Sequence, residues 1–135
     1  MNLTALLSAI AIIESSDARH PAGNDLARGR KGEVSRYQIM PATWRAYGGG
    51  ALVNARNPAK AKAVALMIID CFPLCHNETD RVLCAAILWN RGPQTAETLS
   101  RRIKHDSVHP NSYSMRVWNQ YQAIKVKVNI RRITK

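Results

Sequence analysis

Acidic residues are scarce: 9 Asp and Glu stand against 20 Lys and Arg, a formal charge of +11 in 135 residues. Such a field favours polyanions such as nucleic acid, an anionic membrane or an acidic wall polymer. Aromatics make up only 6% and are not interleaved with the basic runs at 28–36 and 125–135. That excludes a stacking platform for single-stranded nucleic acid. Long apolar runs are absent too. The opening "MNLTALLSAIAII" holds about a dozen apolar residues, too few to span a bilayer. It also lacks the basic start of a signal peptide, so it reads as a buried helix. Cysteine is sparse and odd in number: Cys71, Cys75 and Cys84 cannot all pair internally. With His76 they match no standard zinc spacing, so neither metal nor cofactor is expected. None of His20, His76, His105 and His109 belongs to a His-Glu-x-x-His run, so that zinc-hydrolase motif is absent. The Gly48–Gly50 run lacks the lysine of a phosphate-binding loop.

There are no repeats and no low-complexity linker, so one domain over 1–135 with a basic tail at 125–135 is expected. A hydrophobic fraction of 46% is enough to build a core at this length. The spacing predicts a helix over 3–15, started by Asn2 or Thr4. Dense Ser, Asp, Pro, Gly and Asn over 16–33 predict a long exposed loop. A turn or brief strand follows at 34–40, and Pro41 opens a short helix over 41–47. Asn57-Pro58 starts a helix over 58–72 with Ala61, Val64, Ala65 and Ile68 on one face. Further helices are predicted near 79–90, 94–102 and 112–124. The tail "KVKVNIRRITK" alternates Val and Ile with charge and reads as an edge strand or a fraying helix end. The class is all-α, with at most a minor β-hairpin.

Glu14 ends a helix of small and apolar residues. A carboxyl there faces the negative end of the helix dipole, and apolar neighbours on one side disfavour its charged form. Both effects suit a general acid. The bland alternative is a solvated glutamate at a helix end.

Four motifs then occur in order: "ESS" at 14–16, "YQIMPATW" at 37–44, "AILWNRGP" at 86–93 and "YSMRVWNQY" at 113–121. Together they resemble the motifs of soluble lytic transglycosylases and goose-type lysozymes. The resemblance implies a lysozyme-like domain that cleaves the β-1,4 bond between N-acetylmuramic acid and N-acetylglucosamine in peptidoglycan. It implies Glu14 as acid and then base, with Ser15 orienting it or backing the cleft. Gln38 and Met40 would line the cleft, with Tyr37, Asn90 and Tyr113 near the substrate. Trp44 and Trp89 read first as core and only second as sugar platforms. The implied protein is a monomer in the cell envelope, periplasmic or extracellular, or borne by a phage, although no export signal is legible. It would bind peptidoglycan or a related N-acetylated glycan, with neither nucleic acid nor a membrane span.

The family's usual Gly-Ala-x-Gly before Gln-Ile-Met-Pro is replaced here by "GEVSRYQI", with Ser35 at the second Gly and an added carboxylate at Glu33. A transglycosylase needs one acid. An inverting muramidase or chitinase needs a second carboxylate, ~6.5–9.5 Å from the first, to activate water. Glu33 is the first candidate, with Asp17 and Asp25 as rivals. The bland reading pairs Glu33 with Arg28, Arg30 or Arg36. A different class also remains open: a non-catalytic basic domain that binds glycan or nucleic acid.

Overall fold

The computed structural model describes residues 1–71, 77–91 and 111–133. Its elements are α1 (Leu3–Ser15), α2 (Pro41–Ala46), a 3₁₀ turn (Leu52–Arg56), α3 (Pro58–Asp70), α4 (Glu78–Arg91) and α5 (Ser112–Ile133). The fold is mostly helical, with no sheet among the described residues. Two isolated antiparallel bridges, Arg28 with Val34 and Val34 with Ile39, are its nearest approach to a hairpin. The chain divides into two compact units, Ile10–Cys71 and the residues on either side of it, 1–9 and 72–135.

In the unit spanning Ile10–Cys71, Val34, Ile39, Trp44, Ala55, Ala61, Val64 and Ala65 are buried. Trp44 is therefore core, as expected of a large aromatic. Helix α2 starts with proline at its first turn, where no backbone donor is lost. Helix α3 is capped by the Asn57 side chain, which accepts from Ala59 N and Lys60 N at 2.9 and 3.2 Å. Cys71 is an exposed thiol just beyond it.

In the other unit, α4 and α5 pack together around Val82, Cys84, Leu88, Val117 and Tyr121. Both helices start on asparagine. The Asn77 side chain accepts from Asp80 N at 2.8 Å. At α5 the Asn111 side chain accepts from Ser114 N at 2.8 Å, and the Ser114 hydroxyl accepts from Asn111 N at 2.9 Å. This reciprocal arrangement satisfies two otherwise orphaned donors. Asn2 caps α1 by accepting from Ala5 N at 3.0 Å.

A polar chain ties this unit together. Asn2 N donates to the buried Tyr121 hydroxyl at 2.9 Å, and that hydroxyl donates to Glu78 Oε1. Lys125 Nζ donates to the same carboxylate oxygen at 2.9 Å and lies 5.3 Å from the Tyr121 ring centroid. Trp118 stacks on Tyr121 with centroids 5.8 Å apart. The Tyr121 hydroxyl bond, then Lys125, holds the Glu78 carboxyl below its ordinary value. Burial, then the Glu78 bond, pushes the Tyr121 phenol up.

The structure corrects the reading of the tail: α5 continues to Ile133 instead of fraying or forming a strand after 124. The alternating residues misled because no Gly or Pro stops the helix there, and Lys125 is anchored one turn beyond Tyr121. The helix expected near 94–102, Cys75, His76, His105 and His109 lie outside the described residues.

A carboxyl with a lowered folded-state pKa adds stability above its unfolded pKa of about 4.3, and that stability disappears as pH falls through the folded value. Glu78→Gln is expected to cost about 1 kcal/mol at neutral pH, less whatever solvent screening removes. The wild-type and variant melting temperatures should converge as pH falls from about 6 to about 2. A constant gap over that range would contradict an ionised Glu78 in the network.

Candidate functional site

The candidate site is built on the last turn of α1 and the turn that joins Val34 to Ile39. Glu14 is the penultimate residue of α1 and is half-buried. Its neighbour Ser15 is a junction. The Ser15 hydroxyl donates to Arg36 O at 2.7 Å, with Ala11 O also near at 3.2 Å, and accepts from Asn24 N at 2.9 Å. One side chain thus joins the helix end to the loop and to the following turn. Protein groups take the Ser15 proton and one of its lone pairs, so the hydroxyl holds the helix end that bears Glu14. Gly23, at φ +110°, lets the loop lie on the helix: a Cβ there would meet Ala11 Cβ at 3.1 Å and Ser15 Oγ at 3.2 Å.

The turn itself is closed by a pair of bonds, Val34 N to Ile39 O and Ile39 N to Val34 O, both 2.8 Å. Closing it within four residues forces Ser35 to φ +71° and Gln38 to φ +53°. These are left-handed conformations that carry a steric cost for any residue with a Cβ. Side chains brace them. The Ser35 hydroxyl accepts from Tyr37 N at 3.1 Å, and Gln38 Nε2 donates to Ser35 O at 2.9 Å. Ser35, at a position where the resembling family has glycine, therefore occupies a backbone conformation that glycine adopts freely.

This geometry sorts the expected residues. Tyr37 departs from the expectation: at 5% exposure its ring is core and offers almost no surface to a glycan. Burial pushes its phenol pKa up, with the Arg36 cation opposing. Gln38 is half-buried, and Met40, just before α2, is 42% exposed and so is not core filler. Asn90 is exposed near the end of α4 and Tyr113 is half-buried in the first turn of α5, both in the other unit. Trp89 is half-buried beside Asn90 in sequence.

The three rival carboxylates separate cleanly. Asp17 is spent on a local turn: it accepts from Arg19 N, His20 N and His20 Nδ1 at 2.9, 2.7 and 2.9 Å. The His20 bond, first among these, lowers its pKa. Asp25 is clamped by Arg36 through Nε at 2.7 Å and Nη2 at 2.9 Å. That pair raises the Arg36 pKa. Arg36 is thus not the partner of Glu33. Glu33 Oε1 accepts from Lys31 N at 3.0 Å, and among the described residues no cation forms an ion pair with it.

Glu33 is held over Gly29. A Cβ on Gly29 would fall 1.6 Å from Glu33 Oε2 and 2.9 Å from Gln38 Oε1. The carboxylate and the amide therefore converge on one point of the loop, and only a glycine lets them. Sequence reading passed over Gly29, Gly23 and Asn24; their only signal was the density of Gly and Asn in the loop.

No family model, curated protein or solved structure matches this chain.

Ser15→Ala strands the Asn24 N–H and the Arg36 carbonyl in a part-buried setting. It is expected to cost about 1–3 kcal/mol, read from denaturant midpoints. Gly29→Ala must drive the Glu33 carboxylate from its seat, because a 1.6 Å approach is impossible. Its check is the Glu33 side-chain carboxyl signal by NMR, which should shift in the variant while the α3 amides stay in place.

Proposed function

We propose that the chain is a peptidoglycan-cleaving enzyme that acts as a lytic transglycosylase, with Glu14 as the acid and then the base. The observation that carries this reading is the Ser15 junction, which fixes the Glu14-bearing helix end to the turn presenting Gln38 and the exposed Met40. The four ordered sequence motifs support the same assignment. In this mechanism Glu14 gives its proton to the glycosidic oxygen as the C1–O bond breaks. The resulting carboxylate then takes the proton of the muramic acid 6-hydroxyl as that oxygen bonds to C1. The product carries a 1,6-anhydro ring, no water is consumed, and Glu14 ends protonated as it began.

Gln38 suits an N-acetyl group, since its amide offers both a donor and an acceptor. The exposed Met40 thioether is a soft apolar surface for a sugar face. The basic loop residues Arg28, Arg30 and Lys31 suit attraction to an anionic wall polymer.

One observation favours a second reading, an inverting hydrolase. Glu33 alone of the three rival carboxylates is neither clamped by a cation nor spent on a local turn with histidine, and it approaches the same point over Gly29 as the Gln38 amide. There Glu33 would take a proton from the attacking water.

Glu14→Gln is expected to abolish cleavage of purified sacculi while the protein stays folded, since an amide has no proton to give; activity above a few per cent removes Glu14 from the role. Mass spectrometry of the wild-type digest should find anhydromuramyl ends, and Glu33→Gln should cost less than about tenfold in rate. Reducing ends instead, with a loss of about 10²–10⁴-fold in Glu33→Gln, would establish the hydrolase.

A further inference from the structure

Helix α5 carries two apolar faces. Val117 and Tyr121 are buried, and Ile124 and Val128 continue that face half-buried. On the other side Val126, Ile130 and Ile133 are 55%, 54% and 83% exposed. Their spacing of four and three residues makes one stripe along the axis. At about 100° per residue the stripe lies roughly opposite the buried face. Exposed Met115 begins the same line near the start of the helix. A surface helix normally turns a polar face outward, and three large aliphatics in register there call for an occupant.

The charges beside the stripe identify its chemistry. Ser112–Ile133 contains no Asp or Glu, but it contains Arg116, Lys125, Lys127, Arg131 and Arg132. Lys127 lies on one flank of the stripe and Arg132 toward the other; both are exposed. Lys125 is engaged by Glu78.

We propose that the outer face of the C-terminal half of α5 docks on an anionic lipid surface. The helix lies in the headgroup plane. Val126, Ile130 and Ile133 enter the acyl boundary, while Lys127 and Arg132 meet the lipid phosphates. A second copy of the chain is a poor occupant, because two acid-free cationic helices repel. A nucleic acid or a wall polymer takes the cations but leaves the aliphatic stripe in water. A bilayer boundary accepts both. The contact is peripheral. From Val126 to Ile133 the stripe covers ~10 Å of axis, and among the described residues no helix is long and apolar enough to cross a membrane.

The test sediments the full chain with vesicles of phosphatidylcholine alone, or with phosphatidylglycerol at about one lipid in three. The expected result is binding to the anionic vesicles only. Lys127→Gln with Arg132→Gln should weaken it about 25-fold, about fivefold per cation. Val126→Gln with Ile130→Gln should reduce binding at least tenfold at physiological salt, with far-ultraviolet circular dichroism unchanged. Both pairs are exposed, and the charge pair remains informative if the apolar pair disturbs folding. Failure to bind anionic vesicles, equal binding to neutral ones, or indifference to either pair overturns the proposal. So does self-association of the wild type, measured by ultracentrifugation, that the apolar pair abolishes while vesicle binding is absent. Cleavage by Glu14 enters none of these readouts.

Discussion

The Ser15 hydroxyl is the interaction on which the Ile10–Cys71 unit depends. A hydroxyl has one proton and two lone pairs, and here it joins three pieces of backbone: helix end, loop and turn. Local bonding alone would let a serine end a helix and do nothing more. The long-range bond to Arg36 O instead sets the position of the Val34–Ile39 turn against the helix that bears Glu14. The close approach of Gly23 belongs to that junction, while the left-handed conformations of Ser35 and Gln38 come from closing the turn between Val34 and Ile39. Strain of this kind persists only where surrounding bonds over-determine it, and it concentrates at functional sites.

The other unit solves a different problem. Its α4 and α5 bury an apolar seam, and a tyrosine hydroxyl inside that seam needs partners. Tyr121 finds them in Asn2 and Glu78, and Lys125 neutralises the carboxylate. Placing Glu78 in the first turn of α4 also suits the positive end of that helix dipole. One aromatic residue therefore fixes the start of α1, the start of α4 and the middle of α5.

Charge does separate work in different places. The excess of cations is a property of composition, but most of its meaning lies in the pairing. Asp25 and Asp17 are consumed by Arg36 and His20, and Glu78 by Lys125. Glu33, by contrast, has no ion pair among the described residues and sits on the Gly29 seat, and α5 carries cations but no acid.

Helix starts were legible in the sequence because their signals are local. Pro41, Asn57-Pro58 and Asn2 act on donors within three residues of themselves. The all-α class followed from helical periodicity, and Glu14 stood out because it ends an apolar helix. The sequence by itself determined those elements and that candidate. Tertiary structure decided the rest. It alone placed Tyr37 in the core, paired Arg36 with Asp25 and not Glu33, and carried α5 on to Ile133. Each of these depends on which residues meet across a turn or between helices, and spacing along a chain carries no information about partners eleven or more residues away until the chain has folded.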